Sequence, residues 1–254
     1  KILFEGLLEM GFNENIIITC DHHYSHALTA YCCSPFKDAL VFTADGRGDF
    51  RSITLWKSDE VSGLELVDFA TELDSPGTFY GFITKLLGFT PSRHEGKITG
   101  LAAAGKMSKA YDILKEGYFF DQDSQLVRSK IGDNYFPFQS MENKALIANL
   151  KSFSKEDIAF AAQEILEEVL LSFLMKHLDE QKENSVNICL AGGCFANVKL
   201  NHEIFSLPAT KNIYVFPQMG DGGNALGGAL NVAISKTSKT HFDLPTVYLG
   251  PEYS

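Results

Sequence analysis

Two histidines four residues apart form the first pattern that could do chemistry. His22 and His26 stand in the segment HHYSH. Residues i and i+4 share one face of a helix, where two imidazoles can bind a divalent metal if other residues complete the shell. The protease pattern H-E-x-x-H needs a Glu where this chain has His23, which excludes a zincin. The pair therefore predicts either a metal site or the solvated polar face of a helix.

A second pattern is the turn TADGRGD, which follows an apolar run at residues 39–44. Asp45 ends the predicted strand, and Gly46 and Gly48 would let backbone N–H groups approach an anion. Phosphate loops have this composition, and so do hairpin turns capped by an aspartate. Both interpretations remain open from the residues alone.

Two further glycine loops stand between predicted strands and helices. In LAGGCFAN, Gly192 and Gly193 would allow a nucleotide to lie against the backbone, or would serve close packing of helix on strand. The segment lacks the complete G-x-G-x-x-G spacing of a dinucleotide site. In QMGDGGNALG, Asp221 and free N–H groups would meet at a helix N-terminus, which suits either a metal–phosphate site or a simple N-cap.

The elements around these loops alternate. A strand is predicted at residues 15–20, before a helix that includes residues 27–33, and an antiparallel unit at residues 39–44, 50–56 and 64–69. A capping-box-like start at Ser154 predicts a long core helix. Strand, helix, strand and helix then follow at residues 186–191, 195–205, 212–217 and 225–235. This order predicts an α/β fold with ligands at the strand ends.

Composition limits the function classes. The 254 residues carry a formal charge of −10, which argues against a nucleic-acid surface. The five cysteines form no C-x-x-C pair, which favours reduced thiols in a cytoplasmic protein. No apolar run approaches the ~20 residues that cross a bilayer, so no membrane association is predicted.

Four blocks follow one another along the chain: HHYSHALTAYCCSPFKDALVFTADGRGDFRSITLW, SPGTFYGFITKLLGF with EGKITGLAAAGK, LAGGCFANVKLN, and GDGGNALGGAL. Together they resemble one family, the NodU/CmcH/TobZ-like O-carbamoyltransferases. The family's early His-Asp-Ser-like block and its C-terminal YrdC-like domain have no match in this chain.

The resemblance implies a two-lobed acetate-kinase/sugar-kinase/Hsp70/actin-like (RNase H-like) fold. Residues 1–152 would form the first lobe, without its N-terminal strand and with a helical insertion at about residues 75–150. Residues 153–254 would form the second lobe. The insertion is predicted to lack strands, because its sequence shows no strand alternation.

The resemblance also implies the site residues. The metal ligands carry over to His22, His26, Asp45 and Asp221, with iron as the family's metal, although zinc and manganese also suit two imidazoles and two carboxylates. The nucleotide cradle carries over to seven positions: Gly46, Gly48, Gly192, Gly193, Asn197, Gly222 and Gly223. Lys97 lies in the matching EGK block, where it would either contact phosphate or remain solvated.

The implied activity is carbamoyl transfer. A YrdC-like domain would make carbamoyl-adenylate from ATP and carbamoyl phosphate, and the metal domain would transfer the carbamoyl group to a hydroxyl of a small-molecule acceptor. No residue is assigned as catalytic base, a homodimer is one possible assembly, and the fragment is expected to be inactive alone. The alternatives are a tRNA threonylcarbamoyl-adenosine synthase-like protein, a kinase of the same superfamily, and a non-catalytic nucleotide-binding regulatory module.

Overall fold

One mixed five-stranded sheet organises the chain. The computed structural model describes residues 2–59, 63–130, 144–178, 185–248 and 250–251. The strand order is β3-β2-β1-β6-β7. The first three strands are antiparallel neighbours, whereas β1–β6 and β6–β7 are parallel. The strands are β1 Ala39–Gly48, β2 Arg51–Asp59, β3 Gly63–Thr71, β6 Val186–Ala191 and β7 Thr210–Val215, and a separate hairpin pairs β4 Tyr118–Asp121 with β5 Leu126–Ser129.

Helices cover both faces of the sheet. Alternate residues of β1 show this, because Phe42 belongs to one buried apolar cluster and Val41 to another. Phe42 stacks on Phe173 of the long helix α7 with ring centroids 5.9 Å apart. Val41 lies in the cluster formed with α2 and α9. The described helices are α1 Ile2–Glu9, α2 His22–Cys32, α3 Pro76–Leu86, α4 Glu95–Ala102, α5 Lys109–Lys115, α6 Lys144–Leu150, α7 Lys155–Leu178, α8 Val198–Ser206 and α9 Asn224–Thr237.

Helix α2 begins at its first histidine because Asp21 caps it. The Asp21 carboxylate accepts a hydrogen bond from the Tyr24 amide at 2.8 Å, which satisfies a donor that the helix itself leaves unpaired. Helix α9 then packs closely on α2. A Cβ added at Gly227 would lie 2.3 Å from the Ser25 carbonyl oxygen, so only glycine permits this approach.

Several predicted elements are confirmed, and one is wrong. The antiparallel unit, the strand at residues 186–191 and the helix after Ser154 are present. The strand predicted at residues 15–20 is not. A 3-10 turn, Glu14–Ile16, opens that segment, and Ile16 and Ile18 are 66% and 58% exposed. The β-branched run finds no partner strand in the described part of the chain, and a strand requires one.

The predicted lobe boundary near residue 152 does not separate two sheets. Leu40 of β1 pairs in parallel register with Ile188 of β6, so strands from both predicted lobes lie side by side. Helix α7, which was expected in the second lobe, packs on α4 and α5 of the first. The predicted order of strands and helices from residue 186 to residue 235 is confirmed, but the sequence pattern does not reveal which strands pair.

The segment at residues 75–150 contains helices α3–α6 and the hairpin β4–β5, so the expectation that it lacks strands is wrong at this hairpin. Its apolar residues continue the core of the sheet. Tyr118 of β4 stacks on Phe79 of α3 with centroids 4.6 Å apart, and both belong to the same buried cluster as Phe42. Residues 131–143 of the predicted insertion lie outside the described residues.

Candidate metal centre and cleft

Four side chains from three distant segments converge at the ends of β1 and β6. His22 and His26 come from α2, Asp45 from β1, and Asp221 from the 3-10 turn before α9. One potential ligand atom from each lies within 4.8 Å of the others. The His26 Nε2 atom is 3.2 Å from an Asp45 oxygen and 3.4 Å from an Asp221 oxygen. The His22 Nε2 atom is 3.5 Å from the same Asp221 oxygen. These residues are called the four-residue cluster below.

Two backbone amides fix the Asp45 carboxylate. The N–H groups of Gly46 and Gly193 donate to its two oxygens at 2.6 and 3.1 Å. Burial alone would raise the pKa of Asp45, but hydrogen bonds from His26 and these two amides lower it far below its ordinary value. Asp45 is therefore an oriented carboxylate. The same bonds mean that both glycine amides, which were expected to face a nucleotide, are directed at Asp45 instead.

The two cluster histidines are held in place by packing. His26 is buried, which by itself lowers its pKa, but hydrogen bonds to Asp221 and Asp45 outweigh burial and raise the pKa. His22 lies against Gly48, where an added Cβ would come within 2.1 Å of the imidazole ring. Gly48 thus makes room for the ring. The His22 Nε2 atom is buried and has no hydrogen-bond partner within the described ranges.

Asn224 is a neighbour of the cluster that the sequence interpretation missed. Its Nδ2 atom lies 3.2 Å from His26 Nε2 and 3.4 Å from His22 Nδ1. It is the first residue of α9, directly after the DGG turn. The available signal was a polar side chain at the first helical position beside a predicted ligand loop.

The middle histidine of HHYSH, His23, belongs to the core. His23 Nδ1 lies 2.7 Å from the Thr43 hydroxyl, which in turn lies 2.6 Å from the Thr54 hydroxyl. The Trp56 indole donates to Thr54 at 2.6 Å and closes this chain across β1 and β2. Burial, reinforced by the nearby His22, lowers the pKa of His23 to about 4, so its imidazole is neutral at pH 7.

A cleft of about 490 Å³ opens beside the cluster. Asp45 and Asp221 belong to its wall and connect it to the cluster. The remaining lining residues come from α3, α4 and the loop between them, from α7, and from the loops after β6 and before α9. The volume lies in the range of small-molecule sites, which run to several hundred Å³.

Only some of the residues predicted to bind a nucleotide line this cleft. Gly46, Gly193 and Asn197 line it. Gly192 packs on β1, since a Cβ there would lie 2.2 Å from the Ala44 carbonyl oxygen, and its φ of +101° favours glycine. Added Cβ atoms at Gly222 and Gly223 would meet Gln218, and these two glycines lie outside the described lining.

Lys97 is likewise outside the described lining of the cleft. It is exposed on α4, and its ammonium group lies 5.2 Å from the centre of the Phe89 ring.

Gly77 lines the cleft, although the sequence analysis does not single it out. A Cβ at Gly77 would lie 2.6 Å from the Gly46 nitrogen, so the first turn of α3 sits directly on the Asp45–Gly46 backbone.

Hydrogen-bonded side chains form one wall of the cleft. The Tyr80 hydroxyl donates to Gln163 Oε1 at 2.6 Å, and Asn197 Nδ2 donates to the same oxygen at 2.8 Å. Tyr80, Gln163 and Asn197 are 5%, 1% and 7% exposed. Sequence reasoning missed Tyr80 and Gln163, whose bond spans 83 residues. We call this group the Gln163 array; its members are Tyr80, Thr99, Gln163, Glu167, Asn197 and Lys199.

Comparison with known proteins gives a consistent family signal. The family model described as Carbamoyltransferase N-terminus matches residues 4–230. Nodulation protein NolNO of Sinorhizobium fredii is 30% identical over 99% of this chain and 37% of that protein. The 3'-hydroxymethylcephem-O-carbamoyltransferase of Streptomyces clavuligerus is 24% identical over 92% of this chain and 44% of that enzyme. The chain therefore spans less than half the length of these relatives.

A solved structure supports the fold. The crystal structure of HypF from T. kodakarensis aligns with a TM-score of 0.51 at 13% identity, covering 92% of this chain and 39% of that one. At this identity the likeness concerns the fold alone. In the described residues, no helix is both long enough and apolar enough to span a membrane.

Proposed function

Because the chain belongs to the carbamoyltransferase N-terminus family, we propose that it carries the metal- and nucleotide-binding part of an O-carbamoyltransferase. The proposed reaction moves a carbamoyl group from carbamoyl-adenylate, made from ATP and carbamoyl phosphate, to a hydroxyl of a small-molecule acceptor. The name of the Streptomyces relative, a carbamoyltransferase for a hydroxymethyl group, supports a hydroxyl acceptor. The activity belongs to a longer protein, since the relatives are more than twice this length.

The observation that carries the proposal is the four-residue cluster opening into the cleft. Two imidazoles and two carboxylates form a donor set that iron, zinc and manganese all accept. The buried His22 Nε2 atom without a hydrogen-bond partner in the described residues fits a position where an ion completes the bonding. His22, His26, Asp45 and Asp221 would hold a divalent metal, with iron as the first choice. Such an ion supplies Lewis-acid polarisation of a phosphate oxygen.

The protein's own groups prepare this site before a ligand arrives. Asp45 is fixed by the Gly46 and Gly193 amides, so little reorganisation is needed when a ligand binds. Asp221, with 74% of its side chain exposed, stands at the open side between cluster and cleft. With a net charge of −10, the chain has no general attraction for a polyanion. Local groups must therefore hold the phosphates.

We propose further that the five-stranded sheet is one lobe of the two-lobed acetate-kinase/sugar-kinase/Hsp70/actin-like fold. The sheet order, with three antiparallel strands followed by two parallel ones, is the supporting feature. The second lobe and a YrdC-like domain would then belong to the rest of the longer protein. The segment at residues 75–150 would be an elaboration of this single lobe.

The test is a product analysis with the full-length protein. Incubation with ATP, carbamoyl phosphate and a hydroxylated acceptor should release AMP and form a carbamate ester, and chelation should abolish both. ADP as the product would indicate a kinase of the same superfamily. Nucleotide binding without any product from a range of acceptors would favour the regulatory module. The variant Asp221→Asn should lose product formation, whereas Asp243→Asn, an exposed aspartate outside the cluster, should not.

A further inference from the structure

In the Gln163 array, the neighbours of Gln163 determine which end of its side-chain amide donates hydrogen bonds and which end accepts them. Glu167 is 7% exposed and receives a hydrogen bond from the Lys199 ammonium at 2.8 Å, so it is an acceptor-only carboxylate. Gln163 must therefore turn its NH₂ group toward Glu167, at an N–O distance of 2.5 Å. The Gln163 amide oxygen then faces the Tyr80 hydroxyl and the Asn197 amide. The orientation of this amide follows from the chemistry of its neighbours.

This orientation determines where the hydroxyl protons of Tyr80 and Thr99 point. Tyr80 has one proton, and Gln163 Oε1 receives it at 2.6 Å. Thr99 lies 3.2 Å from the Tyr80 oxygen and must be the donor in that bond. Burial raises the pKa of Tyr80, so the phenol keeps its proton at physiological pH. Neither hydroxyl has a proton left for a ligand, but both oxygens keep lone pairs.

Tyr80 and Thr99 both line the cleft. They therefore present two acceptors side by side, which disfavour an anionic group and favour a group that donates hydrogen bonds. Two neighbouring acceptors suit two hydroxyls on neighbouring carbons. The carboxylate cluster at another part of the same cleft would hold a metal and thereby a phosphate. A nucleotide carries both features, a phosphate and a ribose diol.

We propose that Tyr80 and Thr99 form a subsite that accepts hydrogen bonds from the ribose hydroxyls of the nucleotide. Gln163 is a positioning residue, because it keeps the Tyr80 proton turned away from the ligand. This inference rests on the proposed function in one respect, that an adenine nucleotide occupies the cleft. It adds the residues that select the sugar.

The test measures discrimination between sugars by titration calorimetry on the full-length, metal-loaded protein. The wild type should bind ATP roughly tenfold more tightly than 2'-deoxy-ATP or 3'-deoxy-ATP, since each lacks one buried hydrogen bond. Tyr80→Phe and Thr99→Val should each bring the ratio for at least one analogue close to one. Gln163→Met should lower the ratio as well, because Tyr80 could then donate its proton elsewhere. A merely structural loss would weaken all three nucleotides equally.

Tyr111→Phe is the matched control. Its hydroxyl also bonds to a side chain of α7, Glu168, but it lies outside the described lining of the cleft, so the ratio should stay at the wild-type value. An unchanged ratio in both Tyr80→Phe and Thr99→Val, or equal binding of all three nucleotides by the wild type, overturns the inference alone. If the wild type binds no adenine nucleotide, both the inference and the proposed function are wrong. If the full-length protein discriminates between the sugars but transfers no carbamoyl group, the proposed function is wrong and the subsite is supported.

Discussion

Asp221 differs from the other cluster residues in its exposure. Its side chain is 74% exposed, compared with 18% for Asp45 and none for His26. An exposed carboxylate can be replaced with little effect on folding, which makes it the best position to separate ligand binding from stability.

Asp221→Asn should weaken binding of a divalent ion by about tenfold or more, because it removes one negative charge from the donor set while nearly preserving its shape. Titration of the chelator-treated protein with Fe²⁺, Zn²⁺ and Mn²⁺ measures this, and thermal unfolding without metal should be almost unchanged. Asp243→Asn is the comparison variant, since Asp243 is exposed and outside the cluster. Equal metal affinity in both variants would remove Asp221 from the site.

Gly77 is a second decisive residue, because its place cannot hold a side chain. Gly77→Ala should lower the free energy of unfolding by ~1–3 kcal/mol, since the new Cβ would lie 2.6 Å from the Gly46 nitrogen and 2.8 Å from the Asp45 carbonyl carbon. Denaturant unfolding measures the loss. Gly100→Ala on α4 is the control: nothing lies within 4 Å of its Cβ, and a gain of ~0.5–1 kcal/mol is expected. Similar losses in both variants would contradict the packing argument.

The cluster residues were predictable because each stands in a short motif with its own chemical signal. His22 and His26 share a helix face, and Asp45 and Asp221 each stand in a glycine turn. Gln163 and Tyr80 carry no such local signal: one lies within an apolar helical pattern and the other in a helix of the insertion. Their connection exists only after the chain has folded.

At the scale of elements, Asp68 connects strand β3 to the end of helix α7. Its carboxylate accepts hydrogen bonds from Lys176 at 2.5 Å and His177 at 2.7 Å. Burial alone would raise the pKa of Asp68, but these two partners lower it. A lowered folded-state pKa means that this contribution to stability is present above the unfolded-state pKa and is lost as pH falls through the folded-state value.

Asp68→Asn should therefore lower the free energy of unfolding by ~1 kcal/mol at pH 7, a modest value because the carboxylate is partly exposed. The difference from the wild type should shrink as pH falls below the ordinary aspartate pKa of about 4. Urea unfolding at several pH values measures it. Glu65→Gln, at an exposed position of the same strand, should show little difference at any pH. A loss that does not depend on pH would contradict the ion-pair explanation.

Element identity was more predictable than element pairing. Local sequence identifies α7 and β6, because Ser154 begins a long segment with apolar residues at helical spacing and residues 186–191 form a short apolar run before two glycines. The position of β6 beside β1 depends on parallel pairing between Leu40 and Ile188, for which no local pattern exists. The false strand at residues 15–20 has the same cause, since β-branched residues favour a strand only where a partner is available.

At the scale of the whole molecule, a charge of −10 makes the protein depend on local groups for binding a polyanion. Chelation should weaken ATP binding at least tenfold, and restoring the metal should recover it. Added salt should weaken ATP binding only slightly, because a net charge of −10 provides no overall attraction for salt to screen. Calorimetric titrations with and without chelator, at two salt concentrations, measure both effects. Equal affinity with and without metal would contradict metal-assisted binding.

The cluster joins the beginning and the end of the described chain, and this has a consequence during synthesis on the ribosome. His22 and Asn224 meet across 202 residues, and Gly193 bonds to Asp45 across 148. A nascent chain that has not yet reached Asp221 can offer His22, His26 and Asp45, but it lacks the fourth residue of the cluster, and before Gly193 it also lacks one of the amides that orient Asp45. Any metal that this cluster holds should therefore be captured only after translation has passed Asp221.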